Sequence, residues 1–289
     1  MKKFSILMLT ALMAVCTFTA CSDDDDLKVT IPEYISTTYV GYADVSFSYT
    51  SHVMPYLDQT VTIAPNTNGT VDMIYVNDTW GTFNPTNCTI SQSGSVYTIS
   101  GSGTVSVSSP SGSSKSYEYT TVATVSDDAD FAMTISIPSL MSGGTTINFH
   151  SGDAPAAYKI AGTYTGNTVA AFAYAKLNYT GDTLTITANS DGTANVSYTN
   201  DGEHLEGSSA VALGFGTYAD SCMTVVENSD STYTMAGSGT ISLSMSAGTT
   251  GNSYKYVSAY TINGSDVTAV YTLPIMGTTT VTFTSTSKK

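Results

Sequence analysis

The chain of 289 residues is poor in basic side chains and contains no arginine. Its nine lysines are outnumbered by 23 acidic residues, so the formal net charge is −14 at pH 7. A protein without a basic patch cannot neutralise nucleic-acid phosphates, and without arginine it lacks the usual bidentate contacts to bases. The composition therefore argues against nucleic-acid binding, and by the same reasoning against binding to anionic lipid head groups.

Cysteine is also scarce, which argues against a fold held together by disulfides. The four cysteines are Cys16, Cys21, Cys88 and Cys222. The last two occupy nearly matching positions in the two halves of the chain, and two explanations are open. They form a disulfide between domains, or they are small apolar core residues. The second is favoured, because matching positions in separate domains rarely come within bonding distance.

Helix-forming residues such as leucine, glutamate and lysine are few, whereas the chain has 24 glycines, 20 tyrosines and abundant serine and threonine. This composition is typical of β proteins. No segment after residue 20 has helical periodicity over three turns. Residues 170–177 are ambiguous on their own, but the matching residues 46–53 alternate polar and apolar side chains, as strands do.

The N-terminal residues 1–20 are organised like a signal peptide. Two lysines follow the initial methionine, and the apolar stretch 4–15 is too short to span a bilayer comfortably. The small residue Ala20 precedes Cys21, which resembles the signal of bacterial lipoproteins. The resemblance implies cleavage before Cys21, lipidation of that cysteine and attachment to the outer membrane. The alternative is an ordinary secretory signal cleaved near Ala20.

An acidic cluster follows the predicted lipidation site. It resembles the surface-export signal of Bacteroidetes lipoproteins, which directs them to the outer leaflet of the outer membrane. The resemblance predicts a surface-exposed lipoprotein in which residues 21–37 form a lipidated, acidic tether. A soluble spacer is the alternative, because adjacent carboxylates repel one another and keep a segment extended and hydrated. The cluster consists of Asp23, Asp24, Asp25 and Asp26.

Two copies of one sequence pattern make up most of the chain. The block YTISGSGTVSV, beginning at Tyr97, matches YTMAGSGTISL, beginning at Tyr233, and further blocks match in the same order. Each copy is long enough to bury its own core. We therefore predict two domains of one fold, at 38–150 and 158–286, joined by a linker at 151–157.

Within each copy, apolar and polar residues alternate, as they do in strands with one face in a core. Clusters of Asn, Asp, Gly and Ser separate these runs, as in β-hairpins. Eight strands in hairpin order fit an up-and-down barrel or a sandwich. The barrel is favoured, because an immunoglobulin-type sandwich would normally have a Cys…Trp…Cys core and Trp80 is the only tryptophan. In the first copy the strands are predicted at 42–50, 59–65, 70–77, 83–91, 95–107, 116–126, 130–138 and 144–150.

Two glycines, Gly101 and Gly103, lie on the apolar side of the predicted strand 95–107. A glycine inside a strand marks a sharp bend or a close approach of another part of the protein. A tight hairpin at the sequence SGSG is the other interpretation.

A resemblance to a known family covers most of residues 40–286 and is clearer in the second copy. It rests on Gly162-Thr163-Tyr164 near the start of that copy, the hairpin TLTITANSDGT, the YTMAGSGT block and the closing TTVTFT. These features resemble the calycin-like, lipocalin-related β-barrel domain of Bacteroidetes lipoproteins. The resemblance implies two tandem eight-stranded antiparallel up-and-down barrels, an extracytoplasmic location, and a role in binding a small molecule or a surface.

Tyrosines at matching positions of the two copies are the candidate ligand-binding residues. On the inner face of a barrel they would provide apolar walls with hydroxyl groups, suited to a small apolar or glycan-like ligand. The alternative is a structural or adhesive surface module in which they fill the barrels, because eight strands leave little interior space. The candidates are Tyr75, Tyr117, Tyr119, Tyr198, Tyr254 and Tyr256.

The sequence contains no recognisable catalytic or metal-binding motif. His52, His150 and His204 are far apart, and no Ser-His-Asp order or GxSxG elbow accompanies them. Residues 203–206 are more typical of a solvated loop than of a metal site, and the acidic residues at 127–130 are more typical of a turn than of a calcium loop. We therefore expect no enzyme activity, no metal and no cofactor. The sequence leaves the oligomeric state open.

Overall fold

The computed structural model describes residues 31–50, 52–108, 112–202, 205–206, 214–243 and 251–289. The predicted signal peptide 1–20, the lipidation site Cys21 and the export aspartates at 23–26 lie outside the described residues, as does His204. Within the described ranges, no helix is long and apolar enough to cross a membrane.

The first copy, barrel 1, is an antiparallel sheet of nine strands. Its strands are β1 (Thr38–Phe47), β2 (Val53–Pro65), β3 (Val71–Asn77), β4 (Gly81–Phe83), β5 (Thr89–Ser93), β6 (Val96–Ser108), β7 (Ser114–Ser126), β8 (Phe131–Ile137) and β9 (Thr145–Ser151). Their order across the sheet is β4-β3-β2-β1-β9-β8-β7-β6-β5, so most strands pair with their neighbours along the chain.

The second copy, barrel 2, repeats this arrangement after a short helix, α1 (Ala156–Ile160). Its strands are β10 (Gly162–Phe172), β11 (Ala175–Ala188), β12 (Ala194–Asn200), β13 (Gly216–Met223), β14 (Val226–Glu227), β15 (Tyr233–Leu243), β16 (Asn252–Asn263), β17 (Asp266–Leu273) and β18 (Thr279–Lys288). The order is β13-β12-β11-β10-β18-β17-β16-β15-β14, the same as in barrel 1. The predicted all-β fold with an up-and-down order in each copy is confirmed.

Each sheet has nine strands because the fourth predicted strand, 83–91, is interrupted. Its first part, β4, pairs with β3, and its continuation, β5, pairs with β6. Between them, Pro85 has no N–H group to donate to a ladder, and Asn87 has a left-handed backbone with φ of 52°. The chain bends here and passes from one edge of the sheet to the other, which closes the meander.

Strand β6 runs without interruption through Gly101 and Gly103, so the hairpin considered at this point does not form. Both glycines are instead sites of close packing. A Cβ atom at Gly101 would lie 2.5 Å from Cys88 Sγ, and one at Gly103 would lie 2.6 Å from the Tyr119 hydroxyl oxygen. Only glycine lets these side chains pass so close to the backbone.

Each barrel has a core of its own, and the two cores differ in their aromatic residues. In barrel 1 the buried aromatic side chains include a tryptophan and three phenylalanines, whereas in barrel 2 most are tyrosines. Those of barrel 1 are Tyr39, Tyr75, Trp80, Phe83, Tyr97, Tyr119, Phe131 and Phe149; those of barrel 2 are Tyr164, Tyr179, Tyr198, Phe215, Tyr218, Tyr256, Tyr260, Tyr271 and Phe283.

The helix between the barrels connects them through Asp44, a buried carboxylate of β1. Tyr158 of α1 donates from its hydroxyl to Asp44 Oδ2 at 3.3 Å, and Asn148 donates to Oδ1 at 3.0 Å. The ring of Tyr158 also meets that of Tyr42 edge-on. Burial, and then the charge of Asp44, raise the pKa of Tyr158, so its hydroxyl stays protonated and remains a donor.

Cys88 and Cys222 are free thiols, so the interdomain disulfide does not form. Cys88 is buried, as expected of a core residue, but Cys222 is exposed, and the core prediction is wrong for it. The reason is a shift of one residue between the copies. Cys222 matches Asn87, since their φ angles are 53° and 52°, and the core position of Cys88 is taken by Met223.

Candidate functional site

Four of the six candidate tyrosines are packed core residues. Tyr75 and Tyr119 of barrel 1 are 1 % and 2 % exposed, and Tyr198 and Tyr256 of barrel 2 are 0 % and 3 % exposed. Each of their rings contacts other aromatic rings inside the barrel. These four rings are packed inside the barrels, as expected if the tyrosines fill them. Tyr119 and Tyr256 also contribute to clefts on the outer surface.

The other two candidates, Tyr117 and Tyr254, are half-buried. Tyr117 lines a surface cleft of about 660 Å³ together with Trp80 and Lys115. The ammonium of Lys115 lies 5.1 Å from the centroid of the Tyr117 ring, so a cation of the chain itself already covers that ring. Tyr254 packs against the edge of the barrel 2 core.

A stack of tyrosine rings occupies the interior of barrel 2. The fully buried Tyr271 has its ring centroid 4.1 Å from that of Tyr218 and 5.4 Å from that of Tyr198. Tyr256 meets Tyr218 edge-on at 5.0 Å. These are ordinary contact distances between aromatic rings, so no molecule fits between them.

Two buried carboxylates lie beside this stack, and the first is Asp182 of β11, which is 5 % exposed. Its Oδ2 accepts hydrogen bonds from the Tyr198 hydroxyl and the Asn200 amide, each at 2.9 Å. In barrel 1 the matching residue is Gln59, which accepts from the Tyr75 hydroxyl at 3.1 Å. The change from glutamine to aspartate therefore places a carboxylate at this position only in barrel 2.

The second buried carboxylate is Asp220 of β13, which is 3 % exposed. Its Oδ2 accepts from Ser258 Oγ at 2.6 Å and from the Tyr260 hydroxyl. Its Oδ1 lies 3.2 Å from the Tyr256 hydroxyl, which also lies 3.1 Å from the backbone oxygen of Ala219. A hydroxyl has one proton and cannot donate it to both oxygens at once. Oδ1 is therefore the less satisfied of the two carboxylate oxygens.

The tyrosines around Asp220 remain hydrogen-bond donors at neutral pH. Burial raises the pKa of Tyr256 to about 12, with the charge of Asp220 as the second cause. Burial, followed by the hydrogen bond to Asp220, likewise raises the pKa of Tyr260 above its ordinary value. A buried carboxylate surrounded by protonated hydroxyls is thus a fixed feature of this barrel.

A surface cleft of about 620 Å³, the seam cleft, opens over Asp220 between β13 and β15. Its walls come from residues 220–224 on one side and 234–238 on the other. Strand β14 pairs with β15 only at Val226 and Glu227, so it leaves most of this edge of β15 uncovered. In barrel 1, β5 pairs with β6 at five positions and covers the matching edge.

The seam cleft combines a charged floor with apolar and hydroxyl-bearing walls. The buried side chains of Met223 and Met235 contribute apolar surface, and Thr234 lies at the rim. The carboxylate packs directly on Gly237, since a Cβ atom there would lie only 2.6 Å from Asp220 Cγ. Asp220, although almost completely buried, is itself one of the residues that line the cleft.

Two further clefts, of about 580 and 590 Å³, occupy equivalent outer positions on the two barrels. They lie at the matching glycines Gly103 and Gly239, and one contains Glu118 where the other contains Lys255. They reflect a shape that both copies share. The seam cleft, in contrast, has no counterpart among the clefts described for barrel 1.

The two described histidines make packing and polar contacts between elements. His150 stacks on Tyr42 with ring centroids 5.2 Å apart, and His52 Nδ1 lies 3.4 Å from Asn195 Nδ2. In the part of the chain that the structure describes, no group of three or more His, Cys, Asp or Glu side chains could hold a metal ion. The polar side chains described around the seam cleft are a carboxylate and hydroxyl groups.

Comparison with protein-family models assigns both barrels to one family. A model described as the calycin-like β-barrel domain matches residues 35–151 and, again, residues 160–286. The chain belongs to this family. The two matches coincide with the two sheets, so the calycin-like barrel occurs twice in tandem, as the sequence predicted.

Solved structures similar to this calycin-like protein include a candidate outer membrane protein of Bacteroides fragilis. The two share 23% identity with a TM-score of 0.59, over 89% of this chain and 98% of the other. A Nostoc punctiforme protein of unknown function shares 12% identity with a TM-score of 0.24, over 87% of this chain and 96% of the other. The first similarity supports the fold, and the second is too weak to indicate one. No curated protein matches the chain.

Sequence reasoning missed the two carboxylates of barrel 2, although the repeat contained a signal for them. Alignment of the copies places Asp182 against Gln59 and Asp220 against Pro85. At both positions an acid in the second copy replaces an uncharged residue of the first. Both acids lie within runs that alternate polar and apolar residues. They were therefore interpreted as ordinary polar positions of a strand.

Proposed function

We propose that this calycin-like protein is a non-enzymatic, surface-exposed lipoprotein of the outer membrane that binds its ligand at the wall of a barrel. The observation that carries the proposal is the packed aromatic interior of both barrels. A ligand inside barrel 2 would have to displace the stacked rings of Tyr198, Tyr218 and Tyr271. The clefts, in contrast, open on the outer surface.

A role in binding and not in catalysis is supported by the surroundings of the reactive side chains. His150 is stacked on an aromatic ring, and His52 contacts a residue of the other barrel. Asp182 and Asp220 accept hydrogen bonds from hydroxyl or amide groups of neighbouring strands. Groups held in this way support a rigid recognition surface.

The proposed location at the outer membrane is supported by the N-terminal sequence and by the fold. Cys21 follows a signal-like segment and precedes four aspartates, a combination that resembles exported surface lipoproteins. The similar protein of Bacteroides fragilis, a candidate outer membrane protein, matches over nearly its whole length. We therefore propose that the lipid on Cys21 holds the barrels at the outer membrane and that the acidic tether directs them to the cell surface.

The anchor is tested with two matched variants of the full-length precursor, expressed in a Bacteroidetes host. Cys21→Ala removes the proposed lipidation site, and Cys16→Ala removes the other N-terminal cysteine. We expect Cys21→Ala to leave the membrane fraction. Cys16→Ala should remain attached to intact cells and be degraded by protease added outside. A Cys21→Ala protein that stays membrane-bound and is cleaved by external protease would contradict the proposal.

The acidic tether is tested separately by changing its four aspartates together to asparagine. The change keeps the size of each side chain and removes its charge. The variant should remain membrane-bound but be protected from external protease, because the anchor is intact and the export signal is lost. Cleavage equal to that of the unaltered protein would show that the aspartates act only as a spacer.

A further inference from the structure

We propose that the seam cleft of barrel 2 binds a small organic ammonium ion through Asp220. The proposal names the ligand class for binding at a barrel wall, and so it rests on the proposed function. Three observations support it: Asp220 has no cation beside it in the described residues, its Oδ1 is the less satisfied oxygen, and the cleft that Asp220 lines also has apolar surface.

Asp220 is a buried acid without a positive partner in the described residues. The hydrogen bonds described for its carboxylate come from the hydroxyls of Ser258, Tyr256 and Tyr260. The ion pair described in the structure, Lys159 with Glu227, does not involve it. Burial of a carboxylate costs free energy unless a cation or sufficient hydrogen bonds compensate for it. A bound ammonium group would supply the missing charge.

The oxygen with the weaker hydrogen bonds is also the one that lies against Gly237, a lining residue of the cleft. A Cβ atom at Gly237 would lie 2.8 Å from Asp220 Oδ1, and Gly237 forms part of the cleft wall. Among the described residues, the hydrogen-bond partner of Oδ1 is the Tyr256 hydroxyl, at 3.2 Å, and Oδ1 competes for that proton with a backbone oxygen. An N–H group that enters beside Gly237 therefore meets an acceptor with free capacity. Hydrogen bonds from a charged donor to a carboxylate are among the strongest in proteins.

The rest of the cleft favours a cation with an apolar body. Met223, Met235 and Val226 line it with apolar surface, and its volume of about 620 Å³ suits a small molecule. An anion is disfavoured by Asp220 and by the net charge of the chain, −14. A primary ammonium on a short hydrocarbon matches both the charge of the floor and the apolar walls.

Barrel 1 is a natural control with the same fold. Pro85 occupies the position of Asp220, and a Cβ atom at Gly101 would lie 3.0 Å from Pro85 Cβ. Thr121, which matches Ser258, has a buried hydroxyl without a hydrogen-bond partner in the described residues. Barrel 1 thus has the glycine and the hydroxyl position but neither the acid nor the open seam.

The affinity test uses three probes with the same hydrocarbon chain and different charge: hexylammonium, hexanol and hexanoate. They are titrated by calorimetry into the full mature protein. We expect hexylammonium to bind about tenfold or more tightly than hexanol, and hexanoate to bind most weakly. Equal affinity for hexylammonium and hexanol, or no binding of hexylammonium, would overturn the proposal.

The residue is tested with Asp220→Asn, which keeps the side-chain size and removes the charge. We expect its affinity for hexylammonium to fall about tenfold or more and its affinity for hexanol to stay unchanged. Glu118→Gln removes a charge from the outer cleft of barrel 1 and serves as the matched control, with no expected effect. A folded Asp220→Asn protein that binds hexylammonium as tightly as the original would refute the role of the acid.

A second measurement needs no variant and so does not depend on the folding of Asp220→Asn. Cys222 is exposed on the cleft wall, whereas Cys88 is buried, and peptide mass spectrometry distinguishes their modification. Hexylammonium should slow the reaction of Cys222 with a cationic thiol reagent, and hexanoate should not. An unchanged rate of Cys222 modification in the presence of hexylammonium would refute the proposed site. Such a failure would leave the anchoring of the protein untouched, since Cys21→Ala tests that separately.

Discussion

Barrel 1 and barrel 2 share one strand order but have different interiors. At matching positions, Phe83 is replaced by Tyr218, Ile135 by Tyr271 and Ala123 by Tyr260. Barrel 2 gains hydroxyl groups at these positions, together with the carboxylates of Asp182 and Asp220. The strand pattern therefore tolerates either kind of core, provided that the inward positions are filled.

In barrel 2, the buried acids and the tyrosine hydroxyls depend on each other. A buried polar group is costly when it lacks a partner and stabilising when a network satisfies it. Tyr198 is paired with Asp182, and Tyr260 with Asp220. The exception is Tyr218, whose hydroxyl has no partner in the described residues. Barrel 1 avoids most of this requirement with phenylalanine and aliphatic side chains.

The stabilities of the two barrels should differ most at high pH. Burial raises the pKa of Tyr75 and Tyr256 to about 12, and raises that of Tyr198 above its ordinary value as well. The unfolded chain loses these protons near pH 10, so their contribution to stability is complete below pH 10 and is lost as the pH rises through the folded pKa values. Barrel 2 buries more tyrosines and should unfold first.

The alkaline transition can be followed with two signals. Circular dichroism reports both barrels, whereas the fluorescence of Trp80 reports barrel 1 alone, because it is the only tryptophan. Part of the dichroism should be lost at a lower pH than the change in Trp80 fluorescence. Simultaneous transitions, or an earlier change at Trp80, would contradict the predicted order.

Removal of a central ring should produce the largest effect of a single substitution. Tyr271→Ala removes a fully buried ring that contacts Tyr198 and Tyr218, and should lower the free energy of unfolding of barrel 2 by about 3–5 kcal/mol. Urea denaturation should show an earlier dichroism transition with unchanged Trp80 fluorescence. A loss below about 1 kcal/mol would mean that the rings are loosely packed.

A matched pair of substitutions compares a hydrogen bond to a buried acid of barrel 2 with the corresponding hydrogen bond to a neutral residue of barrel 1. Tyr198→Phe removes a hydrogen bond to the carboxylate of Asp182, whereas Tyr75→Phe removes one to the amide oxygen of Gln59. Bonds to charged groups contribute more, so we expect losses of about 1.5–3 and 0.5–1.5 kcal/mol, respectively. Urea titrations of both variants measure the difference. Equal losses would indicate that the hydrogen bond to Asp182 stabilises the fold no more than the one to Gln59.

The smallest effect is expected at Tyr218. Its hydroxyl is buried without a partner in the described part of the chain, so Tyr218→Phe removes a polar group and no hydrogen bond. The free energy of unfolding should stay the same or rise by about 1 kcal/mol. The same urea titration measures it, and a clear loss of stability would reveal a partner for this hydroxyl.

The fold was predictable from the sequence because its signals are local. Alternation along each strand, turn residues between strands and the internal repeat are all visible in the order of residues. The division of the fourth strand was missed because polar alternation continues through 83–91, although Pro85 marks the break. The mismatch of Cys88 and Cys222 arose from a shift of one residue. The ungapped alignment that places Asp220 against Pro85 contains this shift, and the matching φ angles of Asn87 and Cys222 confirm it.

The candidate site was harder to predict, because it depends on volume and on contacts between distant strands. The sequence shows that Tyr198 and Tyr256 occupy inward positions, but it does not show whether rings across the barrel meet. It also does not show that β14 is too short to cover β15. That uncovered edge, together with Asp220, forms the seam cleft.

The most direct test of recognition at the barrel wall is a map of backbone amide chemical shifts, recorded while hexylammonium is added to the unaltered mature protein. If the seam cleft is the binding site, the shifts should concentrate at residues 220–224 and 234–238. Matching residues of barrel 1, at 85–89 and 98–102, should not move. Recognition at the barrel wall would be contradicted by shifts centred on Tyr198 and Tyr271 inside barrel 2. Shifts of equal size in barrel 1 would also contradict it.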